Sequence, residues 1–408
     1  MIPGRHSGET LRVDTGETPR GETPLDGRAG TDYHGVMKIT GRERVLRVLN
    51  GEIPDRVPLD LGGINNSTMH WKVERDLCGL LGFPYAGSLI VATDQQVVVP
   101  DERILRHYGV DTRCLYIREA FPWREEGGVF YDQWGIGRVF DGEYYSMRVH
   151  PLAGMTPREA LDACRWPDPR AEARIEGLAE RAESYGGEHC LILEGFREAC
   201  FGLPSWIRGM TDFYMDLAGD PVFAHEFLDR VLEWNLQVMH FVMGRLGKYV
   251  DVFKFSDDLG TQASLLISPE MYREFIKPRQ ARIVREMKGY GVKVLFHSCG
   301  AVRPLIPDLI EIGIDALNPV QISARGMDPR GLKDDFGDKI VFWGGGIDTQ
   351  ESLPRLGPEQ VKEEVRKNLE ILGRGGGFVF AQVHNIQPDV PAENVDAMLE
   401  AFRERRDY

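Results

Sequence analysis

A chain of 408 residues can bury a large core, and its length suits two domains or one barrel-sized unit. Hydrophobic content of 42% and charged content of 27% are ordinary for a soluble globular protein, while a formal charge of −14 argues against a nucleic-acid footprint or an anionic-membrane partner. No apolar run approaches the ~18–20 residues of a membrane span, no signal-type apolar segment opens the chain, and six cysteines scattered without CxxC pairs suit a reducing cytoplasm.

Residues 1–36 carry no apolar periodicity and contain Gly-Glu-Thr three times, at Gly8, Gly16 and Gly21. Such a segment buries too little surface to offset its ordering entropy, so a disordered tail is expected, with one folded domain over 37–408. Thr40-Gly41-Arg42-Glu43 is a Thr-x-x-Glu capping box, which predicts a helix to about Leu49. Short β-rich runs then recur, each followed by helical pattern: Val57–Leu61, Asp111–Tyr116, Cys190–Glu194, Val250–Phe255, Val292–Phe296, Asp315–Asn318, Lys339–Trp343 and Gly377–Ala381. Residues 121–155, punctuated by glycine and by Trp123, Trp134, Tyr144 and Tyr145, predict an inserted β-hairpin after the second strand. Helices are signalled at Pro269–Lys288 with Ser268 as N-cap, Pro304–Ile312, Pro358–Leu372 and Pro391–Arg405.

Continuous apolar runs of this kind mark buried parallel strands, and eight strand–helix repeats over ~370 residues predict an α/β fold, a (β/α)₈ TIM barrel. A doubly wound open sheet is the competitor that strand periodicity leaves open. A barrel places its chemistry at the C-terminal strand ends. Polar residues at or just past those ends are the candidates for the site. Asp60, Asn65, Arg113, Arg197, Asn318 and Asp348 are candidate substrate-binding residues, and Asp257, Asp258 and Glu194 candidate catalytic ones.

The most specific signal is Val292-Lys293-Val294-Leu295-Phe296-His297-Ser298-Cys299-Gly300. Residues i and i+2 of extended chain share a face, so His297 and Cys299 aim an imidazole and a thiol at one point past a strand end. That pair suits zinc, which takes nitrogen and sulfur ligands. His384, after the eighth strand, looks into the same barrel mouth and supplies a third ligand. Three ligands with an open fourth position is the catalytic pattern for zinc.

Taken together, several segments resemble the uroporphyrinogen decarboxylase-like superfamily. They are Asn50–Pro58, Phe255-Ser256-Asp257-Asp258-Leu259-Gly260, His297-Ser298-Cys299-Gly300, Trp343–Asp348 and Val383–Pro391. The resemblance spans roughly residues 38–405 and implies a (β/α)₈ barrel. It also offers two branches, the decarboxylase of porphyrin biosynthesis and the cobamide-dependent methyltransferases and demethylases. The decarboxylases carry an arginine-rich Arg-Gln-Ala-Gly-Arg segment soon after the first strand; here Leu61–Thr68 contains no arginine. A clamp for eight carboxylates is therefore missing from a chain of charge −14.

The methyltransferase branch implies zinc held by His-x-Cys and a distant third ligand. That third ligand is commonly Cys in thiol-methylating members, and His384 stands in its place here. The resemblance further implies a small methylated substrate or methyl acceptor, with Asp257 or Asp258 managing a proton and Glu194 supporting the metal or an imidazole. It also implies a corrinoid. The nearest match to an Asp-x-His-x-x-Gly corrinoid segment, Asp32-Tyr33-His34, has Met37 in place of the glycine. A separate corrinoid protein docked over the barrel mouth is therefore expected, with residues 121–155 as candidate lid or docking surface. A decarboxylase and a non-catalytic binding protein on the same barrel are the alternatives.

Overall fold

The computed structural model describes residues 39–408; the expected disordered tail, 1–36, lies outside the described residues. Thr40 opens the first helix, Gly41–Leu49, as the capping box predicts, its hydroxyl accepting from the Glu43 N–H. Seven parallel strands follow: β1 (Thr112–Tyr116), β2 (Cys190–Phe196), β3 (Val252–Ser256), β4 (Lys293–His297), β5 (Ala316–Asn318), β6 (Val341–Trp343) and β7 (Phe378–Val379). They pair in sequential order from β1 to β7, every neighbour parallel.

The first predicted strand, Val57–Leu61, is an irregular segment. Pro58 has no N–H to give to a ladder, so regular pairing is interrupted there. The segment nonetheless touches both edges of the sheet. The Asp60 N–H donates to the Phe380 carbonyl at 2.8 Å, the Phe380 N–H to Pro58 at 2.9 Å, and on the other side the Asp111 N–H to Leu59 at 2.9 Å. One short segment reaching both edges requires the sheet to curl.

Alternation along the curled strands sorts the core. Ile192, Val252, Leu295, Ala316, Val341 and Val379 face inward and form a small cluster with Val45 and Val48 of the first helix; Leu193, Phe253, Phe296, Leu317, Phe342 and Phe378 join the larger core shared with the helices. Two residues further along, the inward positions turn polar: Glu194, Lys254, His297 and Asn318, all buried. An apolar layer thus carries a polar layer above it, towards the C-terminal ends where the site is built.

In place of the expected hairpin, residues 124–149 form a four-stranded antiparallel sheet: Arg124–Glu126, Val129–Tyr131, Gly137–Phe140 and Tyr145–Val149. The predicted helix Pro269–Lys288 is interrupted by a π-turn over Tyr272–Ile276, just ahead of Pro278. The turn sets the Tyr272 hydroxyl to donate to Gln280 at 2.9 Å, and the Gln280 amide to donate to Asp257 at 2.8 Å. Among the described residues no helix is long and apolar enough to cross a membrane.

Candidate metal centre

His297 is the last residue of β4 and faces inward; Cys299 lies two residues past the strand end; His384 comes from the loop after β7. Their donor atoms all lie within 4.8 Å of one another. The Cys299 Sγ is 3.3 Å from His297 Nε2, and the two imidazole centroids are 5.7 Å apart. The chain turns sharply after Cys299 because Gly300 has φ +88°, and a Cβ there would lie 2.4 Å from the Gly260 backbone.

Neighbouring amides fix both imidazoles in one tautomer. Asn318 donates its Nδ2 to the Trp343 carbonyl at 2.8 Å, which leaves its Oδ1 to accept from His297 Nδ1 at 2.5 Å. The Asn385 Oδ1 accepts from His384 Nδ1, while the Asn385 amide donates to Gln95 at 3.2 Å. With both Nδ1 atoms protonated, each Nε2 lone pair points into the shared space. Burial pushes His297 well below the ordinary imidazole range, to about 3, and lowers His384 as well, which favours the neutral ring in both. Burial, reinforced by the Asp258 carboxylate, pushes the Cys299 thiol well up. Two neutral imidazoles and a thiol that a metal can deprotonate are a donor set that fits zinc. Tetrahedral bonds of 2.0–2.3 Å would place donors about 3.3–3.8 Å apart, so the widest pair of the trio would need to close by no more than about 1 Å to hold such an ion.

Asn66 completes the wall, although it carries no sequence motif. Its Nδ2 lies 3.2 Å from His297 Nε2 and 3.2 Å from His384 Nε2, and its buried Oδ1 has no hydrogen-bond partner. The turn bearing it is tied down from below. Lys254 donates to Glu194 at 2.5 Å, and the other Glu194 oxygen accepts from the Asn65 N–H at 2.9 Å. Glu194 therefore acts on the site through Asn65, paired with a buried lysine.

The two aspartates after β3 part company. Asp258 is in the site: its Oδ1 is 3.6 Å from His297 Nε2 and accepts from the Cys299 N–H at 2.9 Å. Asp257 faces away and is buried, accepting N–H groups from Ala199, Cys200, Phe201 and Gly202, which shapes the turn after β2. Burial raises its carboxyl. Among the proposed substrate binders, Asn318 is the His297 partner. Arg197 forms a two-pronged pair with Asp94 at 2.6 and 2.9 Å. Asp60 is sealed beneath the site, accepting from Thr112, Trp343 and Gly63, and burial raises its carboxyl. Asp348 caps the turn at Gln350 and Glu351.

Arg113 is not brought to this site. As the second residue of β1 it points outward and pairs with Glu102 at 2.9 Å. Asp111 precedes β1 and is held at the opposite end by Arg44 and Arg56.

Glu198 lies past the strand with no motif around it, so the sequence alone does not single it out. Its Oε2 accepts from the Asp258 N–H at 3.3 Å, and burial beside two aspartates raises its carboxyl strongly. Together with Arg197 it borders a cavity of about 140 Å³ beneath the antiparallel sheet, walled by Trp123, Trp134, Trp206 and Trp234.

Removing the amide that orients His297 should weaken metal binding without touching a ligand. Asn318→Ala is expected to lower zinc affinity about 10–100-fold, and Asn318→Asp, which still accepts from Nδ1, to restore most of it. Competition with a chromophoric chelator measures both.

The family described as uroporphyrinogen decarboxylase matches residues 154–405. The chain is 26% identical over 382 residues to a uroporphyrinogen decarboxylase of Alkalilimnicola ehrlichii, covering 90% of this chain and 95% of the relative. It is 25% identical over 253 residues to the methylated-thiol–coenzyme M methyltransferase of Methanosarcina mazei, covering 59% and 61%. Among solved structures, a methyltransferase from Methanosarcina mazei superposes with a TM-score of 0.65 at 19% identity, covering 90% of this chain and 99% of that one.

Proposed function

The chain belongs to the uroporphyrinogen decarboxylase family, and from that premise we propose that it is a zinc-dependent methyltransferase that moves a methyl group between a small methylated substrate and a corrinoid carried by a separate protein. One observation carries this reading: the donors of His297, Cys299 and His384 converge within 4.8 Å, with both imidazoles locked in the ligating tautomer. We take the seven-stranded sheet together with Val57–Leu61 as a closed eight-stranded barrel, which puts this centre at its mouth.

Zinc at such a centre supplies Lewis acidity, holding a thiol as thiolate or polarising an ether oxygen. The rest of the work falls to the chain. Asn318 and Asn385 hold the imidazole lone pairs on target. Asp258, beside His297 and the Cys299 N–H and half exposed, is placed to take or return a proton at the reacting heteroatom. The tryptophan-walled cavity bordered by Arg197 and Glu198 is placed to receive the substrate's apolar part.

The relatives named as decarboxylases favour the other branch, and the residues weigh against it. Leu61–Thr68 contains no arginine, and Arg113 and Arg197 are each already paired with a carboxylate. A highly carboxylated substrate finds no free cation in any of them.

The deciding assay incubates the zinc-loaded protein with methylcobalamin and a panel of thiols, and separately with cob(I)alamin and methyl ethers or thioethers, following the cobalamin spectrum. A methyl-transfer rate lost in Cys299→Ser supports the proposal. Carboxyl loss from uroporphyrinogen, with no cobalamin change in either direction, sinks it.

A further inference from the structure

The zinc centre as described has three protein donors, and the structure holds a fourth candidate. The Asn66 carboxamide is buried, and its head lies 3.2 Å from both Nε2 atoms that face the metal position. As placed, its Nδ2 faces both of these lone pairs while its Oδ1 lacks any partner. Once those lone pairs are committed to a metal ion, the N–H group has nothing left to donate to. A half-turn of the amide then replaces it with a carbonyl oxygen, which zinc accepts, and the orphaned acceptor gains a partner.

Resting on the zinc reading above, we propose that Asn66 is the resting fourth ligand of the metal, binding through Oδ1 and giving way to the substrate's sulfur or oxygen. The turn is built to present it. Glu194 holds the Asn65 N–H at 2.9 Å, Gln382 donates to the Ser67 carbonyl at 2.8 Å, and Ser67 closes on Ile64 at 3.1 Å. The backbone on both sides of Asn66 is pinned while its side chain keeps freedom to turn about Cβ–Cγ. A neutral amide oxygen is a weak donor beside a thiolate, so it fills the open position against water and an anionic substrate atom displaces it. The chemical class this selects is a ligand that can offer zinc a thiolate or a polarised oxygen.

The sign of one measurement separates this role from a mere hydrogen bond. Zinc dissociation constants are measured for the wild type, Asn66→Ala, Asn66→Asp and Cys299→Ser, and visible absorption of the Co²⁺-substituted forms reports coordination. If Asn66 is a ligand, Asn66→Ala weakens zinc by about tenfold or more, and its cobalt spectrum loses intensity as water enters. Asn66→Asp, with an anionic oxygen at the same place, binds at least as tightly as the wild type. If Asn66 only satisfies empty imidazoles, its removal destabilises the metal-free form alone. Zinc then binds as tightly to Asn66→Ala or tighter, and the proposal is overturned. Cys299→Ser reads the underlying centre independently: if it binds zinc like the wild type, or if neither binds it, the zinc reading falls and the Asn66 role with it.

Discussion

Zinc affinity should fall by about a hundredfold or more in Cys299→Ser and in His384→Ala, with the fold retained in both. Zinc binding worth about 10–16 kcal/mol at a four-donor site divides into several kcal/mol per donor, and each variant removes one. Serine is a poor anionic ligand at neutral pH, and alanine offers none. Both residues lie beyond the strand ends and are only partly buried, so neither fills the apolar layers. Competition titration gives the affinities, and circular dichroism of the metal-free proteins should give melting temperatures within a few degrees of the wild type. Equal losses of zinc and of fold would mean that the trio is a structural unit.

A second large effect is expected away from the metal. Lys254 and Glu194 form an ion pair at 2.5 Å with side-chain exposures of 1% and 5%. Lys254→Met leaves the Glu194 carboxylate buried and unpaired, which costs about 3–5 kcal/mol. The urea midpoint should drop accordingly, and Lys254→Met combined with Glu194→Gln should recover part of the loss. Zinc affinity should fall in the single variant too, because Glu194 holds the turn that carries Asn66. A single variant as stable as the wild type would show that water already screens the pair.

Much of this arrangement was legible because it follows from short periods. The apolar runs of β2 to β7 and their polar ends place the sheet and its chemical face, and His297-x-Cys299 needs only two-residue alternation. The capping box at Thr40 is likewise local. Other features are illegible for physical reasons. Val57–Leu61 reads as a strand by composition, yet Pro58 lacks the N–H that regular pairing needs. The insertion's strands are three to five residues long, too short for alternation to separate four of them from a hairpin. The site's inner wall is harder still. Asn66 meets His297 and His384 across 231 and 318 residues, so only the closed fold reveals it. Asp257 and Asp258 are adjacent in sequence but fall on opposite faces, and their shared place past a strand end gives them one role between them.

The most direct test of the zinc centre is X-ray absorption at the zinc edge of the protein loaded with one equivalent of metal. One sulfur at about 2.3 Å and two imidazole nitrogens at about 2.0–2.1 Å are expected, with a fourth light atom, and loss of the sulfur shell in Cys299→Ser. A spectrum of nitrogen and oxygen neighbours alone, unchanged by that substitution, would contradict it.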